Sequence, residues 1–365
     1  MKHLLLLAIA LLCGCVEAPP PALSGAPGVP AGWGNEGFLR ADRPRAFSFP
    51  EDHGPHDGYR SEWWYLTGNL RDRSGRRFGY QFTAFRIALL PQPTPQRGSA
   101  WSASHIWMAH LALTDVAGER HHHDERFARE ALGLAGAQAE PLRVWVEDWQ
   151  LSQSAFERPW QLRAASDRFT IELQLAPAHP PRLQGEAGLS RKGRDPGNAS
   201  YYYSITRLAS AGRVRIGDDE FLVDGDSWLD REWSTSALDP DQAGWDWFSL
   251  QLDDGSDLMF YRLRDRGGNA SPQSAGNLFL ADGRRIALRR EDVTLTPRRW
   301  WRSDDGRSYP VAWTLTLNGP ARRFEIEALM DAQLMALSVR YWEGAIEVRE
   351  AGDRVGHGYL EMTGY

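Results

Sequence analysis

Cysteine and lysine are almost absent from this chain of 365 residues. The two cysteines, Cys13 and Cys15, lie within the first fifteen residues, so the body of the protein can hold no disulfide framework, cysteine nucleophile or cysteine metal site. The two lysines are Lys2 and Lys192. A Schiff-base mechanism would have to use Lys192, and we discount it because residues 191–197 are typical of a loop.

An excess of positive charge is also missing. The formal net charge is −6, so no basic patch indicates a nucleic acid partner. With 42 % hydrophobic and 25 % charged residues, the composition is typical of a soluble globular protein, and the length is sufficient for two domains. What the chain has in quantity is tryptophan, glycine and proline, with 16, 35 and 22 residues.

Residues 1–14 resemble a lipoprotein signal peptide. The apolar run 4–12 follows a positive start and is far too short to span a bilayer, which requires about 20 residues. Leu12-Cys13-Gly14-Cys15 resembles the bacterial lipobox, in which Cys15 would receive the lipid; plain secretion is the alternative. Val16 is typical of sorting to the outer membrane. We therefore expect a periplasmic protein held to the outer membrane only through Cys15, with residues 15–50, rich in proline and glycine, as a tether.

The body of the chain has the patterning of an all-β protein. Apolar residues alternate with period two and are interrupted by Asp and Gly turns, as in the hairpin formed by residues 63–70 and 78–87. A similar hairpin follows at 245–252 and 257–263, which suggests an internal repeat; two unrelated generic hairpins are the alternative. We predict two antiparallel β-barrel domains, 51–234 and 235–365, and one short helix from Asp331 to Val339.

Acidic residues and tryptophans are concentrated between Asp226 and Trp247. In a strand, Trp228, Asp230 and Glu232 share one face, and Leu229, Arg231 and Trp233 share the other. A carboxyl group buried among indole rings has a raised pKa and can act as a general acid, and aromatic faces can stabilise a cation. This combination suits protonation of an alkene. The alternative is structural: Arg231 pairs with a carboxylate and the tryptophans fill the barrel.

Three further segments contain candidate binding residues. Glu62 precedes three aromatic residues, among them Trp63 and Tyr65, and the segment 200–204 places tyrosines on both faces of a strand. We expect Tyr202 to point into a barrel, where a phenol supplies a polar group to a pocket. His105 and His110 point to opposite faces of a strand, so we expect at most one of them to reach a cavity, and a hydrogen-bonded structural histidine is the favoured alternative for either.

Several familiar sites are excluded or weak. Residues 225–229 lack the second glycine of a nucleophile elbow, and residues 239–250 have Leu250 where a calcium loop requires glutamate. The run 121–123 contains three histidines but has no nearby partner to complete a metal site. We expect neither a metal nor another cofactor.

The order of the motifs resembles the family that includes carotenoid 1,2-hydratase and the secreted AttH-type proteins. The matching segments extend from about His56 to the end of the chain and are residues 59–65, 200–204, 225–234, 245–248 and 358–365. The resemblance implies two lipocalin-like β-barrels and a hydrophobic ligand such as a lipid or isoprenoid. It also implies components of an ABC transporter as partners, and relatives that perform carbocation or cycloaddition chemistry on polyenes.

The chain departs from the hydratase pattern at one important position. Arg231 stands where the hydratases have a histidine, although Trp233 and Tyr261 match family positions, and Leu263 stands near the place of an acid. Arginine is permanently protonated and cannot donate a proton. If the protein is catalytic, an acid must replace the histidine. The catalytic candidates are therefore Glu232, Asp230 and Asp246, with Tyr261 implied by the resemblance. The candidate ligand contacts are Trp63, Tyr65, His105, Tyr202, Trp228, Arg231, Trp233 and Trp247.

Two hypotheses remain open. In the first, the protein is a non-catalytic periplasmic lipoprotein that binds a hydrophobic ligand and serves a transporter-linked process in the envelope. In the second, it is an enzyme of the hydratase or hydrolase type that protonates an alkene in a polyene or lipid. The position of Glu232 and Asp230 discriminates between them. An apolar cavity lined by these acids favours catalysis, whereas their pairing with Arg231 favours a structural role.

Overall fold

The computed structural model describes residues 34–91, 102–155, 157–235 and 238–365. The predicted signal peptide and Cys15 lie outside these residues. The described residues contain no α-helix, only three single-turn 3-10 helices at Glu51–His53, Ala131–Gly133 and Arg290–Asp292. None of them is long and apolar enough to cross a membrane.

The first sheet is formed by the strands up to Ser234. Along the described chain its strands are β1 Ser61–Asp72, β2 Arg77–Ala88, β3 His105–Asp115, β4 Arg120–Arg129, β5 Ala135–Gln138, β6 Arg143–Val146, β7 Trp149–Ser152, β8 Trp160–Ala165, β9 Phe169–Pro177, β10 Arg182–Leu183, β11 Leu189–Arg191, β12 Ala199–Ile216 and β13 Asp219–Ser234. They pair in the order β4-β3-β2-β1-β13-β12-β9-β8-β7-β6-β5, with β10 and β11 on β12.

The second sheet begins at Gln242. Its strands are β14 Gln242–Leu252, β15 Asp257–Asp265, β16 Ala275–Phe279, β17 Arg285–Arg289, β18 Val293–Arg302, β19 Ser308–Leu317, β20 Arg322–Ala328, β21 Leu334–Ala336, β22 Arg340–Glu350 and β23 Asp353–Thr363. They pair in the order β17-β16-β15-β14-β23-β22-β20-β19-β18, with β21 on β22.

Both sheets place their first strand between their second and last strands. β1 lies between β2 and β13, and β14 lies between β15 and β23. This shared topology curls each meander into a barrel, the first nearly closed and the second a half-barrel. The prediction of an all-β protein with two lipocalin-like barrels in tandem is confirmed.

Each barrel has its own apolar interior. Alternation along β1 directs Trp64 and Leu66 into the first barrel, where they pack with Phe82 and Trp233. The interior of the second barrel is centred on Trp313, with Phe248 edge-on to it at 5.6 Å between ring centroids.

The barrels lie side by side, and β1 and β2 of the first contact β23 and β22 of the second. The backbones come close where Gly79 faces Ala345, because a side chain on Gly79 would meet the Ala345 Cβ at 2.5 Å. Polar contacts hold the interface, including Arg207 Nε to Asp257 Oδ1 at 2.7 Å and Asn69 Nδ2 to the Gly358 carbonyl oxygen at 2.9 Å.

Two predictions from the sequence are wrong in detail. The described part of the predicted tether does not hang free: Ala41 is fully buried, and Phe47 and Phe49 pack against the interior of the first barrel. Burial of these apolar side chains favours docking over a solvated linker. The predicted helix at Asp331–Val339 is a turn followed by β21. The buried Gln333 fixes that turn by accepting a hydrogen bond from the Ala345 N–H at 3.0 Å.

Candidate active site

The principal cavity lies between the two barrels rather than inside either of them. It opens to solvent, and the empty space between its walls, open solvent included, is about 890 Å³. The first barrel contributes Trp63, Tyr65, Thr83, Phe85, Lys192, Ser200, Tyr202, Asp230, Glu232 and Ser234 to its lining. The second barrel contributes Trp245, Trp247, Tyr261, Leu263, Tyr341, Glu343 and Glu361, and Leu238 lies on the connection between them.

Strand alternation explains which side chains reach the cavity. On β13, Asp230 and Glu232 point outward from the first barrel, while Leu229 and Trp233 point into its interior. On β12, Tyr202 points outward and its neighbours Tyr201 and Tyr203 point inward. The expectation that Tyr202 lies inside a barrel is therefore wrong, because its face of the strand borders the second barrel.

Asp230 is a buried carboxyl group at the cavity wall. Its Oδ1 atom accepts hydrogen bonds from the Ser204 hydroxyl at 2.5 Å and the Trp228 Nε1 at 2.7 Å, and its Oδ2 atom accepts one from the Tyr202 hydroxyl. Burial raises the pKa of Asp230 to about 7, with a contribution from the charge of Glu232, although the three hydrogen bonds oppose the shift. A proton is therefore available from Asp230 at neutral pH.

Glu232 is paired with the one lysine of the described chain. Lys192 Nζ lies 3.1 Å from its Oε1 atom, and the Ser200 hydroxyl also donates to that oxygen. Burial alone would lower the pKa of Lys192, but the adjacent Glu232 carboxylate raises it. The ammonium group thus keeps its charge, the opposite of what a Schiff-base lysine requires. Lys192 also lies 4.0 Å from the ring centre of Tyr261.

A second pair of carboxyl groups faces the cavity from the other barrel. Glu343 and Glu361 are cross-strand partners on β22 and β23. Glu343 accepts a hydrogen bond from the Tyr65 hydroxyl at 2.7 Å, and Glu361 accepts one from Trp245 Nε1 at 2.8 Å. Burial and mutual repulsion raise the pKa of Glu343 well above its ordinary value. Burial, with the charges of Asp230 and Glu232, raises that of Glu361 to about 7.

Aromatic rings form the apolar part of the wall. The Tyr65 ring meets the Trp247 ring edge-on, with centroids 5.2 Å apart, and Trp228 meets Trp247 in the same manner at 6.3 Å. Trp247 Nε1 donates to the Tyr202 hydroxyl at 3.1 Å, so the rings are tied to the hydrogen bonds of Asp230. Their faces suit an apolar ligand and a positive charge that develops beside it.

Seven of the residues singled out from the sequence meet in this cavity. They are Asp230, Glu232, Tyr261, Trp63, Tyr65, Tyr202 and Trp247. Trp228 lies behind Asp230 and holds it in place.

Four others lie elsewhere. Arg231 and Trp233 are in the interior of the first barrel, where Arg231 is ion-paired with Glu62 and stacked on Trp64 at 3.7 Å. Asp246 is ion-paired with Arg262 and Arg264 and lies outside the cavity lining. His105 is bound to Glu130. The predicted ligand contacts of Arg231, Trp233 and His105 are therefore wrong for this cavity. The prediction that Asp246 donates a proton there is wrong as well.

The sequence reasoning missed Lys192, Glu343 and Tyr341. Lys192 lies in a loop with no strand pattern, yet the turn after β11 folds it against Glu232. The sequence does contain a signal for Glu343 and Tyr341. They lie two positions apart on one strand, which places an acid and an aromatic residue on the same face, as for Asp230 and Trp228.

The fold and the cavity define a tandem lipocalin-like barrel protein with an acidic, aromatic site between its barrels. A family model described as AttH-like matches residues 40–365. The crystal structure of a protein described as an AttH from Nitrosomonas europaea is 36 % identical, covers 90 % of this chain and 100 % of its own, and has a TM-score of 0.81. The chain belongs to the AttH-like family.

Two more distant structures share the fold. Kievitone hydratase from Nectria haematococca is 15 % identical over 90 % of this chain and 98 % of its own, with a TM-score of 0.65. CghA is 12 % identical over 91 % of this chain and 97 % of its own, with a TM-score of 0.54. None of the curated proteins matches the chain.

Proposed function

We propose that the protein is an enzyme that adds water to a carbon–carbon double bond of an apolar small molecule bound between the barrels. The observation that carries the proposal is the environment of the Asp230 side chain. Its carboxyl group lines the cavity, is buried among aromatic rings, and has a pKa raised by that burial to about 7. A general acid works best when its pKa lies near the working pH.

The reaction follows from the side chains around the bound alkene. Asp230 gives its proton to one carbon, the π electrons form the new C–H bond, and the other carbon becomes a cation. The faces of Trp247 and Tyr65 and the carboxylate of Glu232 stabilise that charge. A water molecule then forms the C–O bond and loses a proton to a base in the cavity. Tyr202, bonded to Asp230 and Trp247, orients the acid.

Three further observations agree with an enzyme. Lys192 forms its ion pair with Glu232 rather than with Asp230, and burial still raises the pKa of Asp230. Arg231 occupies the opposite side of β13, where its charge is paired with Glu62 rather than with Asp230. The structural relative kievitone hydratase is, by its name, a hydratase, which agrees with the proposed class of reaction.

A carrier lipoprotein is the second candidate. Its support is the aromatic cavity together with the sequence from Leu4 to Cys15, which predicts a lipid anchor. In this alternative the protein binds a lipid or isoprenoid unchanged and passes it to an envelope transporter of the ABC type. The carboxyl groups would then bind a polar group of the ligand rather than transfer protons.

Oxygen-18 water separates the two candidates. The chain from residue 34 onward is incubated with a lipid extract of the native host, and the products are identified by mass spectrometry. We expect a compound heavier by one water that contains the labelled oxygen, formed by the native sequence and not by Asp230→Asn. A stoichiometric ligand recovered without added water from both proteins would favour the carrier and contradict the enzyme.

A further inference from the structure

Three side chains connect the cavity wall to the surface through the interface between the barrels. Tyr341, on β22 of the second barrel, lines the cavity, and its hydroxyl group is hydrogen-bonded to Nδ1 of His110 on β3 of the first barrel. On the far side of the imidazole ring, Nε2 lies 3.7 Å from Oε2 of Glu125 on β4. The acid step described for Asp230 uses none of these residues.

The geometry of the three residues is fixed by their surroundings. His110 is fully buried, with the Phe85 ring edge-on at 5.4 Å between centroids, and it pairs across the sheet with Glu125. Glu125 is partly exposed, and Ser338 of the second barrel holds its Oε2 atom with a hydroxyl hydrogen bond of 2.6 Å and an N–H bond of 3.2 Å. Both barrels must therefore be in place to complete the arrangement.

The protonation states are those of a base and its supporting carboxylate. Burial lowers the pKa of His110, although Glu125 partly offsets the shift, so the imidazole is neutral. The nearby His110 is the largest cause that lowers the pKa of Glu125 to about 2, with a further contribution from the Ser338 hydrogen bonds, so Glu125 is ionised. A carboxylate beside Nε2 favours the tautomer with its proton there, which leaves the Nδ1 lone pair for the Tyr341 hydroxyl.

We infer that Tyr341, His110 and Glu125 form a proton-accepting relay for the cavity, with Tyr341 as the group that meets the reacting molecule. Tyr341 is the catalytic residue of the relay, and His110 and Glu125 are positioning residues that act through it. The arrangement has the order of a nucleophile, a histidine and a carboxylate, which in other folds activates a hydroxyl group.

The proposed water addition needs a base, and the relay supplies it. This role of the relay rests on the proposed function. As the water oxygen bonds to the cationic carbon, one water O–H bond breaks and its proton passes to the Tyr341 oxygen. The original phenolic proton passes to Nδ1 of His110. Glu125 stabilises the resulting imidazolium. When the hydrated product leaves, the imidazolium gives its proton to solvent water and Asp230 takes one up from solvent, so both groups return to their starting states.

An aryl sulfonyl fluoride tests the relay without any substrate. An activated phenol oxygen forms a bond to the sulfur, fluoride leaves, and the phenolic proton passes to the base. Peptide mapping by mass spectrometry gives the labelling rate of Tyr341, and Tyr261, another phenol in the same cavity, reports entry of the reagent. We expect Tyr341 to react well ahead of Tyr261, and His110→Asn to reduce its rate by roughly a hundred-fold, as for loss of a positioned base.

Two matched variants complete the test. Glu125→Gln removes only the partly exposed carboxylate and is expected to slow Tyr341 labelling by roughly ten-fold, at the scale of one pKa unit. His122 lies on β4, as Glu125 does, but its ring contacts Phe169. His122→Asn should therefore leave the labelling ratio unchanged. Equal labelling of Tyr341 and Tyr261 in the native protein, or full Tyr341 labelling in Glu125→Gln, would overturn the relay. Failure of water addition with a normal labelling ratio would overturn only the proposed reaction.

Discussion

Asp230 and Arg231 are adjacent on one strand, yet their side chains belong to different environments. The Asp230 carboxyl group faces the cavity between the barrels, and the Arg231 guanidinium group is buried on the other side, against Glu62. The strand therefore supplies an acid to the candidate active site and a cation to the interior of the first barrel. Because the two groups are separated by the sheet, stability and chemistry can be tested independently.

Glu62→Gln tests the structural side of β13. Burial would raise the pKa of Glu62, but Arg86 and Arg231 together hold it well below its ordinary value. Loss of the carboxylate removes the nearest anion from two buried guanidinium groups, so we expect the free energy of unfolding to fall by about 3 kcal/mol. Urea unfolding measures the change. Asp282→Asn removes an exposed partner of Arg284 and should have no measurable effect; an equally small effect at Glu62 would contradict the structural role.

The alternation of apolar residues in the sequence predicts strands, but it does not predict how the two barrels meet. Alternation identified both hairpins and placed Asp230 and Arg231 on opposite faces, because a period of two is a local property of a strand. It could not show that the outward face of β13 meets β14 and β23, because contacts between the barrels are tertiary contacts between different strands, such as Trp247 with Tyr202 and Tyr65 with Glu343. Tyr202 was assigned to a barrel interior for the same reason.

Lys192 and Asp331–Val339 illustrate a second limit of sequence reasoning. The loop that contains Lys192 lacks periodicity, and its position is determined by the ion pair with Glu232. The apolar spacing after Asp331 suits a helix, but Gln333 binds the backbone of β22 and draws the segment into the sheet. In both segments a tertiary contact overrides the local preference.

Glu361→Gln should change the pH dependence of stability. The pKa of Glu361 is raised from 4.5 to about 7 by burial, so its stabilising contribution is complete below about pH 4.5 and is lost as the pH rises to 7. Over that interval the unfolded chain ionises while the folded protein retains its proton. We therefore expect the variant to gain stability relative to the native protein as the pH rises from 4.5 to 7.

Thermal or urea unfolding across that pH range measures the effect. Glu347→Gln is the matched control, because the pKa of Glu347 is lowered by its arginine neighbours against the effect of burial, and the residue is ionised over the same range. Its difference from the native protein should be constant above pH 5. A constant difference for Glu361→Gln as well would contradict the raised pKa.

The pH dependence of turnover tests the acid directly. Asp230 donates a proton only while it is protonated, so kcat should fall as the pH rises through about 7. A bound apolar ligand displaces water and would move that limit upward. The measurement is kcat at saturating substrate in buffers of constant ionic strength. A kcat that rises through pH 7 would exclude Asp230 as the acid.

Cys15→Ser tests the predicted anchor. If Cys15 receives a lipid, its replacement should move the protein from the membrane fraction to the soluble fraction, because the apolar run before it is too short to hold the chain in a bilayer. Fractionation of the native host followed by immunoblotting gives the answer. Cys13→Ser is the matched control and should remain with the membrane. Identical fractionation of both variants would contradict lipidation at Cys15.

Deuterium transfer to carbon tests the central claim most directly. The substrate found in the labelled-water experiment is incubated in heavy water with the native protein and with Asp230→Asn, after fluorescence titration has shown that both bind it. The account predicts one deuterium on the carbon adjacent to the one that bears the new hydroxyl group with the native protein, and at least a hundred-fold slower incorporation with the variant. Undiminished incorporation by Asp230→Asn would contradict it.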